Sequence, residues 1–371
     1  MHHQIKTNNI INKQKKRTTM DNVVANGTWL MNHTSVDNTM TVAEALEQSG
    51  ADFNVQKQEM YYLTPELRDM LMRNVDIPST ELIAKLKKVE GKQANVRMDN
   101  LACLGVTSDT YGIVQNKEAF DFVDLLCTGD HRNTPIIDAA GTLNDGKRVF
   151  IVARFPQEIV VNNNENDRVQ MQVVVSNSHD GSSAVKVCIT PVRVVCQNML
   201  NLAFKQASGT LFFKHTSNVN KRLDLLNKEN AKFVFQTLGM ADVYQKEFKA
   251  SLDRLATIKM SHKEMEEALV KSLLSKDIFT LYKKNNNSME CDEISTRSKN
   301  IIANVFDACE SGIGQEKLVG GNGLWLVNGL TTYYQNYAKF ADNDKKMSSI
   351  LDGNVQQKVQ NLYDNVVAFA A

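Results

Sequence analysis

The sequence predicts an α+β fold: an antiparallel sheet of two hairpins packed on helices, with a long C-terminal helical region. Three observations predict it. Hydrophobic periodicity changes from helical to strand-like near Leu104 and returns to helical after Pro191. Turn chemistry, Asn144-Asp145-Gly146 and then His179-Asp180-Gly181, breaks the strand-like stretch at two places. The chain of 371 residues is 42% hydrophobic and 23% charged, with 18 Gly and 5 Pro, which is the composition of a protein that builds its own apolar core.

Residues 1–39 read as a disordered basic arm and linker, because Lys6, Lys13, Lys15, Lys16 and Arg17 come before any acid. Residues 40–100 read as a small helical segment. Thr41 is placed to cap VAEALEQSG, and Thr64-Pro65 opens ELRDMLMRN with proline in the first turn. Ser79 and Thr80 open STELIAKLKKVEG, predicted to run to Gly91 with Leu82, Ile83 and Leu86 on one side and Lys85, Lys87 and Lys88 on the other.

Residues 101–224 form the predicted α+β core. A helix is expected over NKEAFDFVDLLC, where Ala119, Phe122, Val123 and Leu126 fall at helical spacing. AAGTL and KRVFIVARF make the first hairpin; RVQMQVVVSNS and SAVKVCITPVRVV make the second, rich in β-branched residues. The polar VNNNEN is the expected exposed connection between them. Pro191 lacks a backbone donor, so it belongs at an edge or strand end, and CQNMLNLAFKQA then reads as helix. Residues 225–371 are the helical region, interrupted by a candidate linker, NNNS, at 285–288.

The six cysteines show no paired metal-ligand spacing and read as reduced thiols of the core. The start of the chain lacks the apolar run of a secretory signal, and no window is apolar enough for a membrane span, so the expectation is a cytoplasmic protein with no membrane partner. No phosphate loop, nucleophile elbow or dinucleotide fingerprint is present, so no enzyme class and no cofactor is indicated.

Charge carries the functional signal. The total is +1, yet Leu104 to Asp145 holds seven acids and two bases, whereas Gly181 to Leu223 holds no acid and six bases: Lys186, Arg193, Lys205, Lys214, Lys221 and Arg222. Such separation makes either a basic face that follows a phosphate backbone or two blocks that neutralise one another across the sheet. Phe204, Phe212 and Phe213 lie among these bases, where exposed rings would stack on single-stranded bases and buried rings would fill the core. Glu118, Asp121 and Asp124, spaced by three, would share a helix edge. With His131 or Asp138 they are candidates for a divalent metal, or they are ordinary solvated carboxylates. His179-Asp180 is explained by its turn.

Several segments are familiar in order: YGIVQNKEAFDFVD (111–124), AAGTLNDGKRVFIVARF (139–155), SNSHDGSSAVKVCITPVRVVCQNML (176–200), FKHTSNVNKRL (213–223) and NGLWLVNGLTTYYQNY (322–337). Together they resemble the phage- and plasmid-like protein family, a domain of unknown function carried by bacterial mobile elements. The resemblance implies that Gln115 and Asn116 open one helix, that Thr190, Pro191, Arg193, Cys196 and Asn198 lead a second, and that Trp325 lies in a closing helix. The sequence departs from that pattern at Leu326 and Val327, where small or polar residues are expected. The family brings no established chemistry to these residues.

Two hairpins, a following helix and an acid-free stretch are also similar in outline to the annealing-protein fold of phage recombinases. The first expectation is therefore a mobile-element protein that binds single-stranded DNA, as a homo-oligomeric ring or filament, with the six bases on phosphates and no metal. The alternatives are a metal-dependent nuclease centred on Glu118, Asp121 and Asp124, and a host-interaction or counter-defence factor.

Overall fold

The computed structural model describes residues 21–26, 34–36, 40–73, 75–128, 134–193, 198–199, 210–219 and 230–370. The runs of β-branched residues between Ile136 and Arg193 set the architecture. They form four long strands, β6 (Ile136–Leu143), β7 (Arg148–Val161), β8 (Asn164–Ser178) and β9 (Val185–Arg193), each antiparallel to the next. The expected partners pair, but β7 also pairs with β8 along its length, so the result is one meander instead of two separate hairpins. Asn162 and Asn163 make the link between β7 and β8 with φ of 47° and 56°. Both are left-handed, as a two-residue hairpin turn requires, so the connection is shorter than expected and Asn164 to Asn166 belong to β8.

The sheet grows at both sides. β1 (Asn22–Asn26) pairs antiparallel with β6, and β2 (Thr34–Val36) pairs parallel with β1, so part of the segment read as a linker is strand. On the far side β9 carries β10 (Asn198–Met199) and β11 (Thr210–Phe213), giving the order β10-β9-β8-β7-β6-β1-β2 with β11 also on β9. At Asn198 and Met199 the expected helix is replaced by strand; the other residues of CQNMLNLAFKQA lie outside the described residues. Pro191 falls between the stretch of β9 that pairs with β11 and the stretch that pairs with β10, so its missing N–H breaks neither ladder.

Successive strand residues face opposite sides, and both sides are covered. One receives α1 (Val42–Gln48) and α4 (Asn116–Thr128), both in contact with the meander. Thr41 caps α1 through a reciprocal hydrogen bond with Glu44. α4 starts where expected and buries Ala119, Phe120, Val123 and Leu126, while Phe122 is half-buried. The four buried residues form one stripe, since positions three and four apart share a helix face.

The segment before Cys103 corrects the sequence reading. It holds α1 and two further short helices, α2 (Pro65–Met72) and α3 (Ser79–Lys85), but also β3 (Val55–Leu63) and β4 (Leu86–Arg97), which form a second, three-stranded sheet with β5 (Cys103–Ser108). The helix expected to reach Gly91 stops at Lys85. Leu86 turns extended, with φ −67° and ψ 135°, and pairs with Leu63. Cross-strand pairing of Tyr61 with Lys88 and Tyr62 with Lys87 outweighs the modest helix preference of a lysine-rich run.

The C-terminal region is helical, as expected: α5 (Asn230–Thr257), α6 (His262–Leu273), α7 (Lys276–Lys284), α8 (Thr296–Ser311), α9 (Gly323–Thr332), a π-helical turn Tyr333–Tyr337, α10 (Asn343–Asp352) and α11 (Asn354–Phe369). Ser261, Ser275, Ser295, Asn322 and Asp342 cap five of them by accepting from backbone N–H groups. NNNS is a tight turn ending α7, with Asn286 and Asn287 left-handed. α10 lies on the second face of the meander, where Met347 and Leu351 meet Val174 and Cys188. One apolar core runs through sheet and helices. Cys188 and Cys309 are inside it, whereas Cys103 is exposed. Among the described residues no helix is long and apolar enough to cross a membrane.

Candidate nucleic-acid interface

At the end of the meander that carries the β8–β9 turn, four chain segments distant in sequence tie together. Asn116, the first residue of α4, donates through Nδ2 to the Ala51 carbonyl at 2.8 Å, which turns its Oδ1 toward His179. His179 Nε2 donates to that oxygen at 2.7 Å, and Asn177 Nδ2 donates to it at 3.3 Å and to the Val114 carbonyl at 2.9 Å. The carbonyl of His179 accepts from Asn95 Nδ2 at 2.7 Å, joining the second sheet to the turn. Gln115 clamps both backbone groups of Val55 at 2.9 and 3.0 Å.

His215 belongs to the same knot. Its Nδ1 donates to the Gly112 carbonyl at 2.9 Å, and its ring stacks on Tyr111 with centroids 4.7 Å apart. Tyr111 donates through its hydroxyl to the Ser178 carbonyl. His179 is fully buried, and burial pushes its pKa down to about 3, with repulsion from His215 adding to the shift. Burial also lowers the pKa of His215, against the opposing pull of its bond to Gly112 and of Asp180. Both rings are therefore neutral, each with the proton on the nitrogen that donates. A fully buried imidazole cannot meet a substrate, so the part His179 plays is to fix the loops it joins.

What it fixes is the edge of the sheet. The turn it anchors leads into β9 at Val185, and the loop held by His215 follows β11 directly. Lys186 and Phe212 face one another across the β9–β11 pair, with Lys186 Nζ 5.7 Å from the ring centroid. Phe212 is 55% exposed, and Lys214, two residues on, is exposed as well. Phe213 packs against the core, whereas Phe212 does not. The stem of Lys186 is half-buried, beside Ser176, Cys188 and Met347 around a gap of about 10 Å³, large enough for one water.

Of the other predicted contacts, Arg193 stands seven residues along β9 from Lys186, roughly 23 Å away at the rise of a strand. Lys205, Lys221, Arg222 and Phe204 lie outside the described residues. Asp138 of the acidic block is paired within the sheet, with Arg154 at 2.9 Å and Gln172 at 3.2 Å, and not with the acid-free stretch.

A family model for a domain of unknown function, DUF932, matches residues 103–356, more than half of the chain. The chain belongs to the DUF932 family. No curated protein and no solved structure matches it. The DUF932 match opens at the first residue of β5 and closes within α11, so it takes in the whole meander and the knot's two histidines, while α1, β3, α2, α3 and β4 precede it.

Within the DUF932 region the acidic trio does not assemble a metal site. Glu118 accepts from the backbone N–H of Gln115 at 2.9 Å and so closes the first turn of α4. Asp121 is half-buried, its carboxyl pushed up by burial, with Lys117 opposing and Asp124 reinforcing the shift. Asp138 is committed to Arg154, His131 lies outside the described residues, and among the described residues no three His, Cys, Asp or Glu side chains fall close enough to hold an ion. In the closing helix Leu326 and Val327 are fully buried, so the departure from the family pattern is a matter of core packing. The residues that sequence reasoning missed are Asn177, His179 and His215; the signal available was polar residues inside otherwise apolar or turn segments of two separate familiar stretches.

Proposed function

We propose that this protein binds single-stranded DNA along the β9–β11 edge, with Phe212 stacking on a base and Lys186 and Lys214 meeting the phosphates beside it. The observation that carries the reading is the exposed Phe212 ring with Lys186 over it and Lys214 next in line, inside a stretch of 43 residues without a carboxylate. Exposed aromatic rings flanked by cations bind single strands without sequence preference, because every base has a face to stack and every nucleotide a phosphate. The likeness to phage- and plasmid-like proteins supports a role on a mobile element, and the likeness in outline to annealing proteins supports an annealing role in a homo-oligomer. It requires no metal and no cofactor.

Fluorescence anisotropy with a labelled oligonucleotide tests it. Phe212→Ala should lower affinity by the ~1–3 kcal/mol of one stacked base, and Phe212→Tyr should retain binding. A duplex of the same sequence should bind more weakly than the single strand. Equal affinity of wild type and Phe212→Ala for the single strand defeats the proposal.

A further inference from the structure

Independently of any nucleic-acid role, the segment from β3 to β4 has the form of a docking arm. β5 pairs with β4 only from Lys92 to Val96, so the outer part, where Tyr61 to Leu63 pair with Leu86 to Lys88, is a two-stranded ribbon. Such ribbons are marginal in water on their own. The helices α2 and α3 at its tip bury little: among the described residues from Tyr61 to Ala94, Leu67 alone is fully buried. Apolar side chains instead face outward, with Met72 80% exposed, Ile83 68%, Tyr62 54% and Tyr61 51%, joined by Leu63, Leu71 and Val75. Almost half of the large hydrophobic side chains exposed among the described residues sit on this one arm. Such a concentration of exposed apolar side chains on one short segment marks a binding surface.

Charge identifies the occupant. The tip, residues 64–81, holds Glu66, Asp69, Asp76 and Glu81 against Arg68 and Arg73, a balance of 2 − 4 = −2. The adjoining residues 82–92 hold Lys85, Lys87, Lys88 and Lys92 against Glu90, a balance of 4 − 1 = +3. Lys85 pairs with Glu81 and Lys88 with Glu59, which leaves the tip at 2 − 3 = −1 and the adjoining stretch at 2 − 1 = +1. We propose that the arm docks on the same arm of a second copy of this chain, the two laid antiparallel about a two-fold axis. The acidic tip of each then meets the basic ribbon of the other, and the apolar side chains between them are buried. A two-fold contact requires a patch complementary to itself, and a segment with opposite charge at its two ends meets that requirement.

Sedimentation equilibrium of the full chain, without nucleic acid, tests the proposal. Wild type should be a dimer, and Met72→Glu with Ile83→Glu should raise the dissociation constant by at least about 30-fold, as loss of an interface hot spot does. Both positions are exposed, so circular dichroism should show an unchanged fold. A charge exchange fixes the arrangement. Asp69→Lys with Asp76→Lys in one chain, and Lys87→Glu with Lys92→Glu in another, should each weaken self-association. An equal mixture of the two chains should form a heterodimer. A wild-type monomer, a dimer indifferent to Met72→Glu with Ile83→Glu, or charge variants that do not recover on mixing would each overturn it. So would arm substitutions that remove oligonucleotide binding from a chain that is monomeric throughout.

Discussion

His179 is a neutral imidazole shut away from water, and its cost appears when the pH falls. In the unfolded chain it titrates near 6.5, whereas in the fold its pKa is about 3, so between those values the unfolded state binds the extra proton. Stability therefore rises with pH through that window and is lost as pH falls below about 6.5. His215 shifts in the same direction. Buried carboxyls such as Asp344 are pushed up by burial and act with the opposite sign, so the imidazole contribution is best isolated by difference. Denaturant unfolding at pH 7.5 and pH 5 should show a larger loss for wild type than for His179→Gln. Equal losses would mean that His179 is accessible to protons in the fold. Gly105 tests the packing of the same turn. A Cβ there would lie 2.5 Å from Asp180 Cα, so Gly105→Ala must push the β8–β9 turn off β5, and it should lower stability by about 1–3 kcal/mol in a thermal melt. These contacts were not legible in the sequence: Asn116, Asn177 and His179 each look like ordinary turn or helix-end residues until chain separations of some sixty residues are closed.

Among the elements, the long strands of the meander were readable because turn residues of known geometry punctuate them. Asn144 and Asp145 are left-handed, as an Asn-Asp-Gly turn demands, and Asn162-Asn163 follows the same rule within a stretch that composition alone marks as a loop. β1, β3 and β4 were not readable. β1 is only five residues long, and β3 and β4 include Gln56, Gln58, Lys87 and Gln93, so they lack the alternation that distinguishes strand from helix. The α3–β4 boundary fell inside a lysine-rich run whose local preference is helical, and only its pairing with β3 decides otherwise. The same difference in support predicts hydrogen exchange. Amides of β7 and β8, covered on both faces, should be the slowest, and in dilute, monomeric protein those of Tyr61 to Leu63 and Leu86 to Lys88 should be among the fastest of any strand. Exchange followed by mass spectrometry checks this. Strong protection of the outer ribbon at micromolar protein that vanishes on dilution would instead report the paired arms.

For the molecule as a whole, a net charge of +1 conceals a division between an acidic and an acid-free block. That division was visible in the sequence, but its consequence depends on where the side chains emerge. Asp138 spends its charge on Arg154 inside the sheet, while Lys186 and Lys214 lie beside an exposed Phe212 at its margin. The central claim, that this margin follows a phosphate backbone, is tested most directly by oligonucleotide affinity as a function of salt. Each phosphate contact on a single strand contributes about 0.7 to the slope of log affinity against log salt. Wild type should show a clear negative slope, and Lys186→Ala with Lys214→Ala should reduce its magnitude by about 1.4 while lowering affinity at low salt. An unchanged slope with unchanged affinity would contradict the account.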